Sequence, residues 1–454
     1  MVSWGEHVYR VGTEEHYDVK DPGDNVPTQK KHIEPWLSAV FQSEHLSLLL
    51  GSGFTTAVAY QAGVKAADMS PNFEGFPFQE KLEKAARDSA AKLGRGEPNI
   101  EDQIRVSNTL LQGLQIVGAT EAKDLQNKID ALFKDFLSNL LQTERGIRDA
   151  TEASEERIDD EENSSEDTNC NSNNLSVEEP ETTIDPLVML VSFLLSFSSR
   201  TASRERLHIF TTNYDRLIEY GADLAGLHIL DRFTGALEPI FRSSRLDIDM
   251  HYNPPGIRGE PRYLEGVVRL TKLHGSLDWS YRNGFVRKIG LPFGAGVDHL
   301  SVISTPSESV MVYPNAAKDR ETSEYPYVEL FRDYAAAVCR PNSVLVTYGY
   351  GFGDEHINRV IADMLTIPST HLVIISFGDE GGRISAFSER IGRKAQISLL
   401  LGPHFAAMPT LVEHYLPKPA IDRITIRQTD LLRNRGWEPP SNSKAESSSE
   451  GDAG

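Results

Sequence analysis

Six short runs of apolar residues recur along the chain, and each has the length of a β-strand. The runs are LSLLL from residue 46, LHIFTT from 207, VVRLTKL from 267, SVLVTYG from 343, HLVIISFG from 371 and QISLLLG from 396. Continuous apolarity, rather than alternation, is typical of parallel strands covered on both faces. Most runs are followed by glycine or polar residues and then by a helical pattern. This order predicts an α/β fold built on a Rossmann-like parallel sheet, in which ligands bind beyond the carboxyl ends of the strands.

A helical periodicity fills the stretch between the first and second runs. One helical face is formed by Leu125, Ile129, Leu132, Phe133, Phe136, Leu137 and Leu140. Residues 80–147 are mostly helical in pattern, and 186–199 continue it, which predicts a helical module inserted at about residues 60–205. The most apolar run, LVMLVSFLLSF at 187–197, has 11 residues. A membrane span needs roughly 20, so we interpret this run as a buried helix.

Two polar segments divide the chain further. Residues 151–185 and 438–454 are rich in Glu, Asp, Ser and Asn and poor in large apolar residues. Such segments bury too little surface to offset the entropy of ordering. The sequence therefore predicts an N-terminal extension at 1–35, a main domain at 36–437 with a disordered acidic loop at 151–185, and a disordered tail at 438–454.

The formal net charge of −20 is concentrated in those two segments. The acidic loop carries −12 and the tail −3, which leaves −5 for the rest of the chain. Direct nucleic-acid binding usually appears as a basic patch or stripe, and the sequence contains no long Lys/Arg cluster.

The N-terminus lacks the apolar core of a signal peptide. Two cysteines, Cys170 and Cys339, are too few for a four-thiolate zinc site or a disulfide framework. We therefore expect a cytoplasmic protein without a membrane segment.

The first strand run ends in Gly51, Ser52 and Gly53, followed by a plausible helix start that includes Thr55. The backbone N–H groups of such a turn and helix terminus can face a diphosphate. A tight turn without a ligand is the alternative, since glycine after a strand is common in turns.

The next two runs end in residues suited to chemistry. Asn213 and Asp215 follow the second run, where either could also cap the following helix. His274 ends the third run and Gly275 permits a turn. An imidazole suits proton transfer near neutral pH, although a lone histidine at a strand end is often structural.

The fourth run ends in Gly349, Tyr350 and Gly351 before another helix start. Gly349 and Gly351 would let the backbone approach a ligand closely. Further on, Asp354 could simply cap that helix and His356 could be solvated.

Together these four motifs resemble those of the sirtuin family, especially the bacterial sirtuin-like NAD-consuming domains of antiviral defence systems, over about residues 40–400. The segment VYPNAAK at 312–318 is similar to one in these bacterial relatives. The resemblance implies that the diphosphate of NAD is held by Gly51, Ser52, Gly53 and Thr55, and the adenosine side by Gly349, Tyr350 and Gly351. It implies that Asn213 and Asp215 hold the nicotinamide ribose and carboxamide, and that His274 is the base near the ribose hydroxyls.

Two elements of protein-deacylating sirtuins are missing from the sequence. These are the four-cysteine zinc ribbon, for which only Cys339 remains in that half, and the Pro-Asp-Phe-Arg run after the Gly-rich turn. We therefore expect no zinc, no metal requirement and NAD as the substrate, with water as the acceptor of ADP-ribose. The predicted activity is that of an NAD glycohydrolase. The alternatives are an NAD-dependent protein deacylase, an ADP-ribosyltransferase, or a module that senses a nucleotide without turning it over.

Depletion of NAD would have to be restrained until it is needed, so we expect a homo-oligomer whose activity is controlled by a partner or by its assembly state. Some relatives are encoded beside a HerA-type hexameric DNA-translocating ATPase or an Argonaute-like protein. The chain has no Walker A signature of its own, so an ATPase would be a separate subunit.

Overall fold

The computed structural model describes residues 4–92, 96–164, 185–200, 205–244, 248–252, 262–299, 302 and 325–418. The segment at 312–318, the acidic residues 165–184 and the predicted tail at 438–454 lie outside the described residues.

The centre of the fold is a nine-stranded sheet with the order β2-β1-β15-β14-β13-β3-β4-β10-β5. Its strands are β1 Val8–Val11, β2 Glu14–His16, β3 His45–Leu50, β4 Leu207–Thr211, β5 His228–Leu230, β10 Val267–Lys272, β13 Ser343–Tyr348, β14 His371–Ser376 and β15 Ile397–Leu401. The strands from β15 to β5 are parallel, and β1 and β2 add an antiparallel edge. The predicted Rossmann-like α/β fold is thereby confirmed.

The six predicted strand runs are β3, β4, β10, β13, β14 and β15, and they lie side by side in the sheet. Alternate residues of these strands enter two different cores, so that Leu48 and Leu50 face one layer while Leu49 faces the other. Coverage on both faces is the reason that the runs are continuously apolar.

The helices that cover the sheet are α1 Val26–Phe41, α2 Ser52–Gln61, α3 Gln79–Lys92, α4 Ile100–Val117, α5 Glu121–Ser164, α6 Pro186–Ser198, α7 Leu217–Leu224, α8 Tyr327–Val338, α9 Glu355–Met364 and α10 Arg383–Ile391. Helical turns at Pro403–Ala406, Met408–Thr410 and Leu411–Tyr415 follow β15. Helices α2 to α6 lie between β3 and β4 in the chain and form the helical module. Within it, α3, α4 and α5 share a separate hydrophobic cluster to which the predicted face of α5 contributes.

Helix α6 contains the most apolar run of the chain. Leu190, Phe193, Leu194 and Phe197 have no exposed surface and pack in the core under the sheet. The predicted buried helix is confirmed. In the described residues, no helix combines the length and apolarity that crossing a membrane requires.

The acidic segment departs from the prediction at its beginning. Helix α5 continues to Ser164, so residues 151–164 are helical and not the disordered loop that composition suggested. This stretch is rich in Glu and also contains Ala and Arg, which are strong helix formers. Extending an existing helix also avoids the unfavourable step of nucleation.

Two small antiparallel sheets lie outside the central one. The larger has the order β11-β12-β7-β6, from β6 Phe233–Thr234, β7 Ile240–Phe241, β11 Trp279–Arg282 and β12 Phe285–Lys288. The smaller pairs β8 His251–Tyr252 with β9 Arg262–Tyr263.

Candidate active site at the carboxyl edge of the sheet

The register of the central strands places the predicted motifs next to each other at the carboxyl edge of the sheet. Leu50 pairs with Tyr348 on one side and with Thr211 on the other. Thr211 in turn pairs with Lys272. Because these four residues lie side by side near the ends of their strands, the segments that follow them emerge at the same edge.

A cleft of about 320 Å³ opens at this edge, at the lower end of the size range of ligand pockets. The predicted site residues that line it are Ser52, Thr55, Asn213, Asp215, His274, Tyr350 and Gly351. The helical module covers it with side chains that include Met69, Asn99, Glu101 and Leu140. Gly51, Gly53 and Gly349 are not among the residues of its wall.

A chain of hydrogen bonds joins two of the predicted catalytic residues through the turn after β3. The amide of Asn213 donates to the hydroxyl of Thr55 at 2.9 Å, and that hydroxyl donates to Oδ2 of Asp215 at 2.7 Å. The amide nitrogen of Asn213 also donates to the carbonyl of Gly51 at 2.9 Å. Both amide hydrogens of Asn213 are therefore used within the protein, and its carbonyl oxygen is the atom left for a ligand.

Asp215 is held from two further directions. Its Oδ1 accepts from the backbone N–H of Leu217 at 3.2 Å, at the start of α7. The ammonium group of Lys272, which is buried, donates to the main-chain carbonyl of Asp215. The aspartate thus accepts from the first amide of α7 although Arg216 holds the cap position, and it also lines the cleft.

The glycines of the two turns contact each other through their backbones. The amide of Gly51 donates to the carbonyl of Tyr348 at 3.1 Å, and that of Gly53 to the carbonyl of Gly349 at 3.0 Å. A Cβ atom on Gly53 would lie 2.7 Å from Cα of Gly349. The two Gly-rich turns therefore pack backbone against backbone, and the N–H groups of Gly51 and Gly53 donate within the protein. In the first turn, Ser52 and Thr55 are the predicted residues that reach the cleft.

Tyr350 belongs mostly to the core. Its side chain is 3 % exposed, its hydroxyl donates to Oδ1 of Asn358 at 2.9 Å, and burial raises the pKa of the phenol well above its ordinary value. Next to it, the carbonyl of Gly351 accepts from Nε of Arg383 at 2.6 Å. Arg383 also lines the cleft, and nothing in its local sequence distinguished it from other arginines.

His274 has a second histidine beside it. Its Nε2 lies 3.3 Å from Nε2 of His356. His356 is 8 % exposed, so the alternative that it is solvated is wrong. Asp354 precedes α9 as expected for a cap, but its side chain makes no capping hydrogen bond, and it lines the cleft instead. The approach of His356 to His274 brings α9 to the segment after β10, a contact that a local pattern does not reveal.

Tyr214 anchors the segment between Asn213 and Asp215 to the helical module. Its hydroxyl donates to Oε1 of Glu101 at 3.0 Å, and its ring packs edge-on against Phe136 at 5.8 Å. Burial and then the carboxylate of Glu101 raise the pKa of the Tyr214 phenol well above its ordinary value. The phenol therefore stays neutral and keeps its donor hydrogen.

Within the part of the chain that the structure describes, no group of three or more His, Cys, Asp or Glu residues is arranged to hold a metal ion.

Residues 207–398 match the family model described as a SIR2-like domain. The matched span contains Asn213, Asp215, His274 and Gly349–Gly351, whereas the turn at Gly51–Gly53 precedes it. No curated protein matches the chain. SIR2-like domains use NAD, so the match associates this span with NAD-related chemistry.

Proposed function

We propose that the protein is an NAD glycohydrolase, which cleaves the bond between nicotinamide and ribose to give nicotinamide and ADP-ribose. The observation that supports it best is the meeting of Asn213, Asp215 and His274 in one cleft. The hydrogen-bond chain through Thr55 adds support, because it fixes Asn213 and Asp215 relative to each other before a ligand binds. Such preorganisation is what catalysis of a charged transition state requires.

The chemistry assigns a distinct task to each of the three residues. The glycosidic bond breaks through an oxocarbenium-like transition state, and the bonding electrons leave with nicotinamide. The carboxylate of Asp215 would stabilise the developing positive charge. The carbonyl of Asn213 would accept a hydrogen bond from a ribose hydroxyl or from the attacking water. His274 would take a proton from that water or from a ribose hydroxyl as the new C–O bond forms.

The deciding experiment is incubation of the purified protein with NAD, followed by chromatographic measurement of nicotinamide and ADP-ribose. Equal amounts of the two products are expected, with no product from a His274→Ala variant. NAD that binds but stays intact would instead indicate a nucleotide-sensing module. Nicotinamide release that depends on an acylated peptide would indicate a deacylase, and ADP-ribose attached to protein would indicate a transferase.

We also propose that this activity serves as an NAD-depleting effector in antiviral defence, as a homo-oligomer under the control of a partner such as a separate HerA-type ATPase. The support is the resemblance in motifs to such effectors and the toxicity of unrestrained NAD cleavage. Light scattering at micromolar concentration, combined with activity assays with and without the ATPase, tests this. A monomer that cleaves NAD at full rate alone would contradict it.

A further inference from the structure

His356 occupies a position that the proposed reaction does not by itself require. It stands in the first turn of α9, next to the cleft histidine but not in the cleft wall. Its Nε2 faces Nε2 of His274 at 3.3 Å, and its ring packs edge-on against Phe331 with centroids 4.9 Å apart. The ring of His356 is therefore held by packing on one side and contacts the predicted base on another.

A hydrogen bond between two imidazoles constrains the protonation of both. One Nε2 must carry a hydrogen and the other must present a lone pair, so at least one ring is neutral. A partner of this kind determines which nitrogen of a histidine carries the proton and in which direction the ring points. In serine hydrolases a buried aspartate performs this task for the catalytic histidine.

We propose that His356 is a positioning residue for His274, and that it does with a neutral imidazole what a carboxylate does in such triads. In this arrangement His274 donates through Nε2–H to Nε2 of His356 and takes the substrate proton at Nδ1. The hydrogen on Nε2 stays on His274 throughout, and the bond to His356 stabilises the imidazolium that forms. This inference rests on the proposed function, since it assigns His274 the role of base.

The competing explanation is that His356 only fills space between His274 and Phe331. The two explanations differ in what a volume-conserving substitution does. His356→Phe keeps an aromatic ring against Phe331 but removes both ring nitrogens. His356→Gln keeps a polar side chain whose carbonyl can accept from His274.

The experiment measures kcat and KM for NAD, together with the melting temperature, for both variants. We expect His356→Phe to lower kcat by about 10- to 100-fold, in line with the loss of a partner that orients a catalytic group, while KM stays within about twofold. His356→Gln should recover most of the loss. The matched control is His371→Phe, because His371 is partly buried and its Nε2 bonds to Oγ of Ser398 at 2.9 Å, but at the opposite end of the sheet. That control should keep the kcat of the wild type.

The outcomes separate the two levels of the proposal. A folded His356→Phe protein with the kcat of the wild type would overturn the positioning role, as would equal loss in His356→Phe and His356→Gln. If His356→Phe does not fold, His356→Asn replaces it as the variant too short to reach His274. A wild-type protein that releases no nicotinamide overturns the proposed function itself, and this result does not depend on any variant of His356.

Discussion

Arg216 and Glu144 form a buried two-point ion pair that ties the helical module to the segment carrying Asn213 and Asp215. The guanidinium nitrogens Nε and Nη2 of Arg216 contact the two carboxylate oxygens of Glu144 at 3.2 and 2.5 Å, and the backbone N–H of Arg216 donates to the same carboxylate at 2.8 Å. Burial raises the pKa of the Glu144 carboxyl, and the charge of Arg216 opposes that rise. Helix α5 thus holds the residue next to Asp215 in place.

Removal of the charge on Glu144 should destabilise the protein, because it leaves the Arg216 cation buried without its partner. We expect Glu144→Gln to lower the free energy of unfolding by about 3 kcal/mol, as is typical when one member of a buried pair is lost. The control is Glu83→Gln, which removes an exposed pair with Arg87 on α3 and should change stability by at most about 0.5 kcal/mol. Urea denaturation measures both. Equal changes in the free energy of unfolding would show that the buried pair stabilises the protein no more than the exposed pair does.

The hydroxyl of Thr55 should matter for activity more than its methyl group does. Thr55→Val keeps the shape but breaks the link between Asn213 and Asp215, so we expect kcat to fall by about tenfold or more. Thr55→Ser retains the hydroxyl and serves as the control, with activity within about threefold of the wild type. Steady-state kinetics with NAD make the comparison. If Thr55→Val is as active as Thr55→Ser, the link has no role in the reaction.

The base should be replaceable without unfolding. His274 is half-buried at a strand end rather than in the core, so His274→Ala should keep its melting temperature while NAD cleavage falls at least about a hundredfold. Asn213→Ala should show a similar loss of activity, with a larger structural effect because its amide bonds two groups of the turn after β3. Product formation and thermal unfolding are measured in parallel. Near-normal turnover in folded His274→Ala would contradict the assignment.

The contact between the two Gly-rich turns should tolerate no side chain. Gly349 has a φ of +60°, and a Cβ there would lie 2.6 Å from the backbone nitrogen of Phe54. Gly63 has a similar φ of +64° but open space around it. Gly63→Ala should therefore cost only about 1 kcal/mol for the left-handed backbone. Gly349→Ala should lower stability by clearly more and impair NAD binding as the turns separate. Thermal denaturation of both variants checks this. Similar losses of stability in the two variants would mean that the turns can move apart at little cost.

Stability should decrease in mildly acidic solution through His371. Burial lowers the pKa of this histidine from 6.5 to about 4. Below pH 6.5 the unfolded chain gains a proton there that the folded chain does not, so the contribution of neutral His371 is present above that pH and is lost as pH falls to about 4. The loss amounts to about 3 kcal/mol. His371→Gln should flatten the dependence of unfolding free energy on pH over this range, as urea titrations at several pH values would show.

The sequence predicted the strands and the edge of the sheet best where a signal was local. Runs such as that of β3 are continuously apolar because both faces are buried, and a polar motif follows each run that ends at the cleft. Strand β1 was not predicted from the sequence because Arg10 interrupts its apolar residues. The structure buries that arginine, whose Nε donates to the carbonyl of Ile397 at 3.0 Å. This contact joins residues far apart in the chain, so the local sequence does not predict it.

The parts of the site that were missed depend on partners far away in the chain. His356, Arg383 and Glu101 are unremarkable in their own surroundings, and they gain a role only when α9, α10 and α4 meet the cleft. The Gly-rich turns were recognised from the sequence, but their contact with each other was not. Glycine permits the close approach of a ligand and of another backbone segment alike. The contact between Gly53 and Gly349 is therefore visible only in the structure.

Strand β3 lies between β4 and β13 in the sheet, so the sheet around it cannot be completed during translation until β13 has been synthesised. A ribosome releases β3 early but releases β13 almost 300 residues later, which corresponds to about 15 to 60 s of translation. Until then the amides of Gly51 and Gly53 have no Tyr348 and Gly349 to bind, and one wall of the cleft does not exist. Any activity of this cleft is therefore confined to chains whose synthesis has passed β13, and products truncated before that strand lack it.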